Sequence, residues 1–224
     1  MPNSIVAIFA HPDDEILACG ASLAKHASTG AVVRILLLAS GLTARGPVAT
    51  SAMDELQDHA RRAADVIGAE SVMFGEFPDN RMDTVPLLDV VQVIEEFLGD
   101  MTPEILYTHN DTDLNIDHQV VQRAVITACR PTPGRVAHEI RSGEVNSSTE
   151  WNAGFGKAFI PNIFEPVSDT MNKKIKALEC YEDEIRDWPH PRSVQGVRTL
   201  AALRGMQCGA EAAEAFALVR RISI

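Results

Sequence analysis

Ile5-Val6-Ala7-Ile8-Phe9-Ala10, followed at once by His11-Pro12-Asp13-Asp14-Glu15, is the stretch on which the fold turns. Six apolar residues in a row, several of them β-branched or aromatic, read as a strand buried on both faces. The polar residues behind it open on a proline-stiffened turn and lead into residues 15–28, which read as a helix ending near Gly30. Strand then helix begins a βα unit, and the alternation repeats down the chain. Val32–Ala39 (VVRILLLA) reads as a second strand, and residues 51–67 as a helix with Gly68 just past its end. Residues 72–74 form a third strand, Leu87–Leu98 a helix opened by Pro86, and residues 104–108 a fourth strand. A helix over 117–129 is stopped by Pro131 and Pro133. This order predicts an α/β protein: a Rossmann-like three-layer α/β/α arrangement around a mostly parallel sheet.

Past Pro133 the pattern loosens into a mixed C-terminal portion. Strands are expected around 137–145 and 160–167, helices over 169–185 and 194–206, and a last strand near 216–220. No repeat, low-complexity stretch or Gly/Ser-rich linker divides the chain. The expectation is therefore a single domain over 1–224, with a Rossmann-like core at 1–130 and a portion at 131–224 that packs on it and shapes the pocket.

The composition narrows the function. The chain has 224 residues, 46% hydrophobic and 23% charged, which suits a globular enzyme with a substantial core. No run approaches the ~18 apolar residues of a membrane span. The first ten residues lack a basic leader and cleavage site, and read as a strand rather than a signal peptide. Cys19, Cys129, Cys180 and Cys208 are far apart with no Cys-x-x-Cys pair, a pattern of reduced thiols that points to the cytoplasm. A formal net charge of −11 argues against nucleic acid or an anionic membrane as partner and favours a neutral or cationic small substrate.

In open α/β sheets, ligands sit outside the carboxyl ends of the strands, so the loops after Ala10, Ala39, Phe74 and Thr108 should line one crevice. Two of these loops carry clusters suited to chemistry. The first is His11, Asp13, Asp14 and Glu15; its alternative reading is that the carboxylates only cap the following helix. Capping needs one carboxylate and does not explain the histidine. The second runs from His109 to His118 (HNDTDLNIDH), with an Asx-rich turn and an Asp117 helix cap as the alternative. A histidine from one loop with a His-Asp pair from the other gives two imidazoles, a carboxylate and an open position, a catalytic zinc pattern that ferrous iron also suits.

AHPDDE at Ala10 to Glu15 and NIDH at Asn115 to His118 together resemble the motifs of the PIG-L (LmbE-like) N-acetylglucosaminyl deacetylase family. The first matches in full, and the second is a common variant. The element order is similar as far as residue 130, and 145–224 is similar to a bacterial subgroup. The resemblance implies that His11, Asp14 and His118 hold Zn2+ (or Fe2+), that Asp13 is the catalytic base, and that the substrate is an N-acetylated amino-sugar. It also implies a homo-oligomer, trimer or hexamer. Several relatives carry histidine where this chain has Asn115; asparagine can donate to an oxyanion but cannot serve as acid or base near neutral pH, which leaves both roles to Asp13. Asp117 is expected to hold a ligand's second ring nitrogen, with helix capping as its alternative. Many relatives also have a substrate-gripping arginine where this chain has Gln57; Arg45 is the candidate to replace it, against a solvated loop arginine. Asp79 matches a position expected to hold a sugar hydroxyl, with a turn-forming role beside Pro78 as its alternative.

From the residues alone, Trp151, in the polar stretch 144–151, is a candidate aromatic platform, and His190, in 187–193, a candidate for the same crevice. Trp188 and Arg192 in that second stretch could reach the crevice with it, and the stretch reads equally as a rigid loop. Rival functions are weaker. Phosphoester hydrolysis usually recruits two metals or cationic clamps, and no lysine partners the motifs. Another amide or an ester remains open as substrate. A non-catalytic nucleotide binder needs a glycine fingerprint where this chain has His-Pro-Asp-Asp. A closed metal-binding module has no use for a free carboxylate at Asp13.

Overall fold

The protein's structure, a computed structural model, describes residues 3–39, 41–46, 49–132, 137–152 and 157–223, and of Arg45 only the backbone. Its elements are β1 (Ser4–Phe9), α1 (Asp14–Ser28), β2 (Val32–Ala39), α2 (Thr50–Ile67), β3 (Ser71–Phe77), α3 (Leu87–Leu98), β4 (Ile105–His109), α4 (Ile116–Ala128), β5 (Glu139–Gly143), β6 (Ile163–Pro166), α5 (Met171–Leu178), α6 (Val194–Cys208) and β7 (Ala213–Arg221). One seven-stranded sheet runs in the order β3-β2-β1-β4-β5-β7-β6. The first five strands are parallel, and β7 pairs antiparallel with both β5 and β6. Helices cover both faces, as the βα alternation requires. Among the described residues no helix is long and apolar enough to cross a membrane.

Residues alternate between two cores because successive side chains of a strand point to opposite faces. Ile5, Ala7 and Phe9 of β1 join Ile35 and Leu37 of β2 beneath α1, α2, α5 and α6. Val6 and Ile8 join Leu36 and Leu38 on the other face, beneath α3 and α4. The apolar run at 5–10 is therefore continuous because both faces are covered.

Two elements depart from the sequence expectation. β3 continues past Phe74 to Phe77 through a bulge: Leu37 pairs with Phe74 but Ala39 with Phe77. Gly75 makes this possible, since a Cβ there would sit 2.6 Å from the Leu38 carbonyl oxygen. Gly75→Ala is expected to cost about 1–3 kcal/mol, because rigid backbone opposes the added atom; a urea melt that leaves the midpoint unmoved would refute this. The expected helix over 169–185 ends at Leu178. Beyond it the chain turns irregularly, and Tyr181 and Glu184 reach Glu15 and Arg192, contacts that a continued helix would not direct to those partners.

The C-terminal portion is fastened to α1 by a buried ion pair. Lys174 of α5 donates to the Leu17 carbonyl at 2.7 Å and to Glu214 Oε1 at 2.6 Å. Glu214 of β7 accepts in turn from the amides of Ala21 and Ser22 at 3.1 and 2.7 Å.

Candidate active site

The chain winds outward from β1 through β2 to β3 and then returns to place β4 on the other side of β1. Successive loops diverge at such a reversal, leaving a crevice beyond the carboxyl ends of β1 and β4. The two polar clusters meet there. The Ala10 amide donates to His109 Nε2 at 2.8 Å, tying the two strand ends together.

Asp14 is the hub. Its Oδ2 lies 3.2 Å from His11 Nδ1 and 3.2 Å from His118 Nε2. All three residues are buried, Asp14 completely. Asp14 Oδ1 and His118 Nε2 have no hydrogen-bond partner, so the 3.2 Å approach of His118 is proximity without hydrogen-bond geometry. Buried polar atoms left this way are costly unless another species satisfies them. Tetrahedral ligands with bonds of about 2.0–2.1 Å stand about 3.3 Å apart, so the Asp14–His separations suit a zinc-like ion.

A second layer orients the rings. His11 Nε2 lies 3.0 Å from Asp117 Oδ2 and 3.2 Å from Asp79 Oδ1. Two carboxylates there assign the ring proton to Nε2 and leave the Nδ1 lone pair towards Asp14. Asp117 also accepts from the amides of Asn80 at 2.6 Å and Met82 at 2.9 Å. Asp79 accepts from the Ala44 amide at 3.0 Å and from Asn80 Nδ2 at 2.8 Å. His11, Asp79 and Asp117 converge tightly enough to suggest a metal group of their own. Their carboxylates already hold N–H donors, however, so they suit fixing His11 better than binding an ion. On the other side, His118 Nδ1 is 3.0 Å from Asp113 Oδ1, again a close approach without hydrogen-bond geometry, and Asp113 is itself held by the Ser148 hydroxyl on Oδ1 and the Thr149 hydroxyl on Oδ2. His109 stacks on His118 with centroids 3.8 Å apart.

The field of the site favours positive charge. Burial works against a proton on His118, yet Asp14 and Asp113 overcome it and raise that imidazole to about 9. Burial likewise opposes the Asp14 charge, but His118 and His11 hold it well below the usual carboxylate range. Burial and the neighbouring His118 keep His109 well below its ordinary value, hence neutral. A pocket that draws a proton onto a buried imidazole also favours a dication.

Asp13 stands apart from the hub. It precedes α1 with φ 99° and ψ −31°, and its side chain makes no hydrogen bond to the helix. The capping alternative thus fails for this residue. Such a backbone in a non-glycine residue stores about 1–3 kcal/mol of strain. Its carboxylate pairs with Arg192 Nη1 at 2.6 Å, and its amide donates to Glu15 at 3.1 Å. Burial pushes the Asp13 carboxyl well above the usual range, and the Arg192 guanidinium opposes that shift.

The remaining candidates are spread around this centre. Asn115 caps α4, accepting from the Asp117 amide at 2.9 Å and donating to Asn80 at 3.3 Å. Arg45 closes a single 3-10 turn, and its side chain lies outside the described residues. Trp151 is 49% exposed and meets His190 edge-on with centroids 5.6 Å apart. Arg192 joins their two segments, donating to Ser147 Oγ at 2.8 Å. Asp79 is buried at the hub rather than displayed in the crevice. Sequence reasoning gave no role to His109 or Asp113, and expected of Arg192 only that its stretch reaches the crevice or forms a rigid loop; it does reach Asp13. The first two lie inside the second cluster, where spacing could have flagged them; Arg192 is 179 residues from its partner, and no local pattern signals the pair.

Comparison with known proteins identifies the family. The PIG-L family, described as GlcNAc-PI de-N-acetylase, matches residues 6–129, more than half of the chain and both clusters. "Uncharacterized deacetylase YaiS" of Escherichia coli (strain K12) is 30% identical over 186 residues, covering 80% of this chain and 91% of that protein. Among solved structures, N,N'-diacetylchitobiose deacetylase from Pyrococcus horikoshii superposes with TM-score 0.77 at 17% identity, covering 97% of this chain and 84% of that one. GalB, the 4-carboxy-2-hydroxymuconate hydratase of Pseudomonas putida KT2440, gives TM-score 0.75 at 21% identity, covering 99% and 98%. One fold thus frames a deacetylase and a hydratase, and at these identities the likeness speaks for architecture alone. The family match and the bacterial relative go further: the chain belongs to the PIG-L family.

Proposed function

We propose that the chain is a divalent-metal-dependent N-deacetylase, with zinc as the metal its ligands suit best, that hydrolyses the acetamide of an N-acetylated amino-sugar to acetate and free amine. One observation carries the reading. A single buried oxygen, Asp14 Oδ2, lies 3.2 Å from ring nitrogens of both His11 and His118, while the neighbouring Asp13 carboxylate is held separately by Arg192. The family description and the deacetylase names of two relatives support the same chemistry.

His11, Asp14 and His118 are the ligands in this reading. A bound divalent cation supplies Lewis-acid charge to the amide carbonyl and acidifies a water. The chain's own residues do the rest. Asp13 accepts the proton of the attacking water and returns it to the departing nitrogen, which cannot leave as an anion. Arg192 fixes the direction of that carboxylate. Asp117 and Asp79 hold His11, and Asp113 holds His118, so the two imidazoles present their lone pairs together. Asn115 is chiefly a helix cap, with one amide hydrogen left for an oxyanion. Trp151, half exposed and edge-on to His190, is the aromatic surface suited to a sugar face in this reading. The reduced cysteines favour the cytoplasm as the place of action.

The test is release of acetate and free amine from a panel of N-acetylated amino-sugars by the metal-loaded protein. Turnover of at least one member is expected, lost on chelation and regained on adding metal. His118→Ala should also lose most of the bound metal by elemental analysis. No turnover on any member, from protein that binds one metal firmly, would sink the reading.

A further inference from the structure

The turn after β5 is held between the two halves of the candidate centre. Ser148 and Thr149 are buried in it, against the equally buried Asp113 from the loop ahead of α4. Ser148 Oγ donates to Asp113 Oδ1 and Thr149 Oγ1 to Asp113 Oδ2 at 2.6 Å, so each carboxylate oxygen takes one hydroxyl. The Asn115 amide adds a donor to Oδ1 at 2.9 Å. A carboxylate held at one oxygen can still swing about its Cβ–Cγ bond; one held at both cannot turn without losing a hydrogen bond. This fixed carboxylate stands 3.0 Å from His118 Nδ1, while the other ring nitrogen, Nε2, lies beside Asp14. Thr149 is itself placed, its Oγ1 accepting from the Val145 amide at 2.8 Å.

One residue earlier, the same turn serves the other half. Ser147 has φ 65°, a left-handed backbone that costs energy in a residue other than glycine. Glu150 holds the bend, accepting from the amides of Ser147 at 2.6 Å and Ser148 at 3.3 Å. Ser147 Oγ accepts from Arg192 Nε at 2.8 Å, and Arg192 Nη1 is the group that pairs with Asp13 at 2.6 Å. Consecutive hydroxyls thus go to different partners, Ser147 towards the base and Ser148 towards the metal ligand.

We propose that Ser148 and Thr149 are positioning residues that set the metal affinity of the centre by holding Asp113 behind His118, while Ser147, through Arg192, sets the direction of Asp13. The Ser147 half rests on the deacetylase reading; the Ser148 and Thr149 half needs only a metal at His118. An imidazole ligand is oriented, and its tautomer fixed, by the acceptor at its other ring nitrogen. Loosening that acceptor therefore weakens the ligand without touching it. A misdirected base, by contrast, costs rate and leaves the metal where it is.

The test is zinc titration in competition with a chromophoric chelator, beside turnover at saturating zinc. Thr149→Val and Ser148→Ala should each weaken zinc binding by about 10–100-fold. Thr149→Ser, which keeps the hydroxyl, should bind zinc much as the wild type does. Ser147→Ala should keep the zinc affinity and lower kcat by about fivefold or more. Urea midpoints of the zinc-free proteins read stability separately, and a role in folding alone would move those midpoints and not the zinc constants. Wild-type zinc affinity in both Thr149→Val and Ser148→Ala would overturn the proposal, and so would an equal loss in Thr149→Ser. A Ser147→Ala protein that loses zinc as Thr149→Val does would overturn the division between the two halves. If Thr149→Val does not fold, Ser148→Ala decides, since it leaves the Val145 contact intact. If the wild type binds zinc but cleaves no N-acetylated sugar, the deacetylase reading fails, and the zinc constants alone judge Ser148 and Thr149.

Discussion

Asp13→Asn should lower kcat by about 10²–10⁴-fold while leaving the metal in place, the range expected for loss of a positioned acid–base group. That corresponds to about 3–5 kcal/mol of barrier. Asparagine is the informative replacement for two structural reasons. Asp13 has φ 99°, and asparagine is among the few residues tolerated at positive φ, so the turn survives. Its amide oxygen can still accept from Arg192, which lies 2.6 Å from the native carboxylate, so the C-terminal contact is not stripped. What disappears is the ability to take and return a proton. Arg192→Gln should share part of the loss, lowering kcat more than it raises KM, because it frees the direction of Asp13 without touching the metal ligands. Stopped assays with elemental analysis on the same preparations check both. Substantial turnover by Asp13→Asn with metal still bound would remove Asp13 from the mechanism.

Lys174→Ala should cost about 3–5 kcal/mol, a large part of the 5–15 kcal/mol that holds an ordinary domain folded. The reason is what remains behind. Glu214 would keep its charge, buried among the α1 amides of Ala21 and Ser22, with its cation gone and the Leu17 carbonyl unpaired. Glu214→Leu should be at least as damaging, since it strands both amides as well as the lysine, whereas Glu214→Gln keeps an acceptor and should do less harm. Urea titrations of the three variants give the ranking. A Lys174→Ala protein that unfolds at the wild-type midpoint would show that the pair contributes little, as replaceable buried pairs sometimes do.

The fold was legible to about residue 130 because its information is local. Apolar runs of strand length, helices closed by Gly68 or opened by Pro86, and their alternation leave few arrangements other than a parallel sheet covered on both faces. The C-terminal portion read less well. Residues 169–185 carry a helical pattern, but contacts made by Tyr181 and Glu184 to residues far back in the chain end the helix at Leu178. Helical periodicity says nothing of such partners.

The candidate site divides along the same line. The sequence by itself determined which groups are available: His11, Asp13, Asp14 and His118 stand in two short clusters behind strands, where side chains must emerge from the sheet. Only the tertiary structure decided which of them meet and what holds each in place. The reversal between β1 and β4 brings His118 to Asp14, the β3 bulge lengthens the strand that delivers Asp79 beside His11, and Arg192 arrives from 179 residues away to hold Asp13. Residue type and spacing fix what chemistry a side chain can do, but distances of about 3 Å between remote residues are set by packing, through which strands lie side by side and where the chain turns back.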